Sequence, residues 1–121
     1  MFLLPIMLIG LAVGGYFVLK PPEQLPLSQA DGIYANSCCG TLVLKGGRGT
    51  HGGAAFDYVI EQDKMGPFVL PKSRLVTVDD ASRLVIVQDE PPLMLRLETS
   101  MRPQWIDIPG FGKSYRFARQ P

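Results

Sequence analysis

The chain has 121 residues, 46% of them apolar, with twelve basic and eleven acidic side chains and a net charge of +1. No basic run disturbs that balance, so the electrostatic footprint of a nucleic-acid-binding protein is missing. Two adjacent cysteines and one histidine leave little with which to build a disulfide scaffold, a closed zinc site or a Ser–His or Cys–His dyad.

Met1 to Leu19 contains no charged side chain, and Lys20-Pro21-Pro22 closes the run. As a helix it covers ~28 Å, close to the ~30 Å hydrocarbon core of a bilayer. No Lys or Arg precedes it, and the one small-residue cleavage pattern, Ala12-Val13-Gly14, lies inside the apolar stretch. The run therefore reads as an uncleaved anchor, a transmembrane helix over residues 1–20. Gly10 and Gly14 form a GxxxG stripe, extended by Ala12 and Gly15. In lipid, close backbone approach of this kind holds helices together, so these four residues are the predicted helix-packing face. The implied partners are other membrane protein subunits and membrane lipid, with no nucleic acid. Lys20 alone biases orientation toward retention in the cytoplasm. A Pro-rich stalk leading to a small β-domain suits export better. We expect the domain on the periplasmic (extracytoplasmic) side, the cytoplasm being the alternative.

Residues 21–30 continue as a Pro-rich stretch without apolar periodicity, which predicts an extended stalk. Residues 31–121 then make one small domain. Short strand-like runs recur at Thr41–Lys45, Phe56–Glu61, Arg74–Val78, Arg83–Gln88, Leu93–Leu97, Gln104–Ile108 and Ser114–Phe117, separated by Gly, Pro and Asp clusters. This spacing predicts an all-β fold, a small antiparallel sandwich or barrel. Period-two alternation assigns Leu42, Leu44, Phe56, Tyr58, Ile60, Leu93, Leu95 and Leu97 to the core. Residues 54–65 also fit a helix, with Asp57 and Glu61 on one face. On a C-terminal strand, Arg116 points away from Lys113, Tyr115, Phe117 and Arg119, which breaks up an apparent basic-aromatic stripe.

No motif commits the chain to chemistry. Cys38, Cys39 and His51 are three candidate ligands at the wrong spacing for zinc, and read as one core and one surface Cys, with a vicinal disulfide as the exported alternative. Gly47-Arg48-Gly49-Thr50-His51-Gly52 matches G-x-G-x-x-G, but no βαβ unit follows it, so it reads as a hairpin whose glycines supply positive φ. The carboxylates flank turns and read as solvated caps. We expect no enzyme, no catalytic residue, no cofactor and no metal. Phe68, Met101, Trp105 and Phe111 sit beside bends and are the candidate protein-interface residues. The expected function is a single-pass accessory subunit that packs its helix and β-domain onto a larger membrane complex. The alternative is a tethered β-barrel that binds a ligand or inhibits an enzyme outside the cytoplasm.

Overall fold

A computed structural model describes residues 24–121 of the protein. The predicted membrane helix, its packing residues Gly10, Ala12, Gly14 and Gly15, and residues 21–23 of the stalk lie outside the described residues. Among those described, no helix is long and apolar enough to cross a membrane.

Alternation of side chains builds the sheet. In β3 (Gly40–Lys45), Leu42 and Leu44 are buried while Thr41, Val43 and Lys45 are exposed. In β10 (Trp105–Pro109), Ile106 and Ile108 point inward and Asp107 outward. The same period puts Phe56, Tyr58 and Ile60 of β5 (Ala54–Asp63) inside, so residues 54–65 run as strand and turn and not as helix. β5, β4 (Arg48–His51), β3, β2 (Gly32–Asn36), β11 (Ser114–Arg119), β10, β9 (Leu95–Leu97) and β6 (Gly66–Pro71) pair in that order, all antiparallel. β6 then pairs with β5 from Tyr58↔Pro71 to Asp63↔Gly66, which closes an eight-stranded barrel. All-β is thus observed, as a barrel.

The interior is filled by side chains. Tyr34, Leu42, Leu44, Tyr58, Ile60, Val69, Leu95, Leu97, Ile106, Ile108 and Phe117 are almost wholly buried. Seven of the eight expected core residues are there; Leu93 is not, being 52% exposed. Its strand begins only at Leu95, because Pro91-Pro92 holds the preceding residues out of the ladder. Charged side chains such as Arg96, Asp107 and Arg116 lie side by side on the outer wall in register, with Arg116 bridged to Asp107. This arrangement, apolar inside and charged outside, is the reverse of a transmembrane β-barrel.

Each end is closed differently. At the first, β1 (Gln24–Leu25) pairs with Glu61 and Ile60, and a 3₁₀ turn, Leu27–Ala30, buries Ala30. Tyr34 donates its hydroxyl hydrogen to the Ala30 carbonyl (2.8 Å), and Arg119 donates to the Tyr34 oxygen (3.0 Å). Residues 24–30, expected in the stalk, are therefore packed on the barrel. Across the second end lies a hairpin, β7 (Arg74–Val78) with β8 (Leu84–Gln88), which inserts Val76, Val78 and Leu84. The Leu84 amide bonds the Cys39 carbonyl (3.0 Å) and the Thr77 hydroxyl bonds the Pro109 carbonyl (2.6 Å).

Candidate functional site

Strand direction decides which loops share an end. β5 runs toward the first end, so the β5–β6 turn, the β9–β10 loop and the point where Gln24 joins the sheet lie together there. Two methionines occupy those tips, Met65 at 77% and Met101 at 85% exposure. They line one shallow groove of about 350 Å³ together with Leu25, Lys64 and Pro67. Neither tip is loose. Asp63 accepts from the Met65 amide (2.9 Å) and from both terminal nitrogens of Arg96 (2.9 Å each), and Arg96 also bonds the Gly66 carbonyl (2.8 Å). The Arg96 hydrogen bonds hold the Asp63 carboxyl down to about 2, well below its ordinary range. Glu98 does the same work for the other tip, accepting from the amides of Ser100 (2.7 Å) and Gln104 (3.1 Å) on either side of Met101. The Ser100 hydroxyl, its first cause, lowers the Glu98 pKa.

The remaining sequence-predicted interface residues are dispersed. Phe68 is buried to 8% exposure, with Arg96 over its ring at 5.4 Å. Trp105 is half-buried on the outer wall beneath the Arg116 guanidinium at 3.6 Å, and Arg116 also bridges Asp107 at 3.0 Å. Phe111, at 86% exposure, tips the β10–β11 turn at the second end, away from Met101. Gly112 takes φ +80° there and Gly110 lies against Tyr115. The four residues therefore form no single surface.

At the second end Cys38 and Cys39 are joined as a vicinal disulfide in the β2–β3 turn, Cys39 buried and Cys38 exposed. His51 lies against Gly40 and bonds the Thr41 carbonyl through Nδ1 (2.7 Å). No three His, Cys, Asp or Glu side chains converge to hold a metal among the described residues. The G-x-G-x-x-G segment is β4 with a turn at each end: Gly47 and Gly52 take positive φ, and Gly49 lies under the Phe56 ring.

One feature was not singled out from the sequence. An open groove of about 550 Å³ runs between the β4–β5 and β7–β8 hairpins, walled by Gly53, Ala54 and Ala55 and rimmed by three cations, Arg48, Lys72 and Arg74, and one carboxylate, Asp57. Arg48 faces Asp57 across the ladder without an ion pair, and Lys72 and Arg74 likewise have none among the described residues. Three cations from separate strands and corners leave no trace in a linear charge pattern. Comparison with protein-family models, curated proteins and solved structures finds no match to this chain.

Proposed function

We propose that the protein is a non-enzymatic accessory subunit, a small barrel tethered by residues 1–20 and applied to a larger membrane complex. The observation that carries this reading is the distribution of apolar surface. Side chains fill the barrel, so a partner is met outside it, and large apolar groups are left in water on loop tips. Phe111 at the second end and the cross-strand neighbours Ile33 and Val43 on the wall are exposed apolar groups of the kind from which interfaces draw their energy. We place the domain on the extracytoplasmic side, where the adjacent Cys38 and Cys39 can close as a disulfide.

Mild detergent extraction, native gel separation and mass spectrometry test the reading directly. The wild-type chain should migrate with defined subunits, and Gly10→Leu or Gly14→Leu should weaken that association while insertion persists. Migration of the wild type alone, from membranes that contain it, would overturn the proposal.

A second reading, the tethered binding module, is favoured by the groove of Arg48, Lys72 and Arg74. Its volume suits a small ligand, and its cationic rim suits a phosphate or carboxylate group. Isothermal titration with polyphosphate separates the two: heat that vanishes in Lys72→Ala and Arg74→Ala favours the module.

A further inference from the structure

Between Leu19 and Gln24 the chain has only Lys20, Pro21, Pro22 and Glu23, because residues 24–30 belong to the barrel and not to a spacer. Five residue steps span at most ~18 Å. Gln24 sits opposite Glu61, two residues short of Asp63 at the start of the β5–β6 turn. Two strand residues carry that turn ~7 Å beyond Gln24, toward the side from which the chain arrives. With the linker extended along the line of β1, the Met65 tip therefore lies ~11 Å from the end of the apolar run. The headgroup layer fills ~5–7 Å of that gap, and a methionine side chain covers most of the remainder.

From this we infer that the first end of the barrel is a lipid-contacting surface, with Met65 and Met101 dipping into the bilayer interface and Lys64 and Arg102 meeting anionic headgroups. The inference rests on the anchor reading above and specifies how the domain stands on the membrane. Three observations support it besides chain length. The two methionines are exposed on adjacent loops of one groove that Leu25 also lines. A basic residue neighbours each of them in sequence, and neither Lys64 nor Arg102 has an ion pair among the described residues. The nearest acids are already engaged, Asp63 by Arg96 and Glu98 by the Ser100 and Gln104 amides. Met–Lys and Met–Arg tips on a rigid frame present apolar and cationic groups together, which is what an anionic lipid surface rewards. The same geometry points Phe111 and the cationic groove's second-end corner, Lys72 to Arg74, away from the bilayer.

The test uses the unaltered full chain reconstituted in vesicles of phosphatidylcholine and phosphatidylglycerol. A trace of lipid carries a photoactivated diazirine near its headgroup, and mass spectrometry maps the adducts. Adducts on residues 63–67 and 99–103, several-fold above those on the equally exposed Phe111, are the expected result. Met65→Ser combined with Met101→Ser should lose most of the tip adducts and keep those on residues 1–19. Adducts confined to residues 1–19 would overturn the inference while leaving the anchor in place. Failure of the chain to sediment with vesicles would remove the anchor and the inference together. Tips that label in vesicles of the pure chain but are shielded in the native membrane complex would assign this surface to a protein partner instead.

Discussion

Two tyrosines inside the barrel make opposite statements about buried hydroxyls. Tyr34 donates to Ala30 and accepts from Arg119, tying the 3₁₀ turn and the last strand to β2. Removing its oxygen strands two polar groups, so Tyr34→Phe should cost about 1–3 kcal/mol in chemical denaturation. Tyr58 is as deeply buried, but its oxygen has no hydrogen-bond partner among the described residues. Burial pushes its pKa up to about 12. Tyr58→Phe removes an unsatisfied atom and should leave stability unchanged or raise it by up to ~1 kcal/mol. A penalty equal to that of Tyr34→Phe would show that the hydroxyl has a partner after all. Gly49 is constrained by space and not by φ. A β-carbon there overlaps the Phe56 ring across the ladder, and Gly49→Ala should cost about 1–3 kcal/mol by overpacking.

At the scale of strands and turns, legibility followed from how each element buries itself. β3, β5, β10 and β11 alternate plainly and were readable, as were β7 and β8. β2, β4 and β6 were not, because Gly32, Gly47, Gly49, Pro67 and Pro71 carry the signals of turns. In β4 the glycine is a strand residue roofed by an aromatic ring, a tertiary relation that local sequence does not encode. Leu93 failed for the opposite reason: alternation extended past the point where prolines end the ladder. The candidate surface was legible only in pieces, since Met101 was readable beside its bend but Met65 joins it through sheet register.

The two Met-bearing tips carry predictions of their own. The folded state holds Asp63 ionised, so its contribution to stability is complete above the ordinary carboxyl value of 3.8 and is lost as pH falls toward about 2. Thermal melts across that window should fall less steeply for Asp63→Asn than for wild type. Parallel curves would mean that Arg96 does not hold the carboxylate in solution. Glu98→Ala removes the acceptor for the Ser100 and Gln104 amides. Both should then exchange hydrogen faster, with the strands of the barrel unaffected.

For the molecule as a whole, the outward row of Arg96, Asp107 and Arg116 and the inward apolar set define a barrel with a charged outer wall and a groove between its second-end hairpins. Closure depends on one seam with a temporal consequence. β11 pairs with β2 through Ala118↔Ala35 and Arg119↔Tyr34, so the last strand of the chain sits beside one of the first. A ribosome delivers residues at roughly 5–20 per second, so β2 waits several seconds for its partner β11. Pairing across such sequence separation is slow, because loop closure precedes any reward from contact. The barrel therefore closes only after β11 has emerged, however early its other strands are made. Deleting residues 117–121 should leave the barrel unable to close, measured as immediate proteolysis in a pulse-chase experiment where the full chain persists. Until β11 emerges, the growing chain holds the other apolar strands and no finished wall to enclose them, and this interval is its most exposed to aggregation.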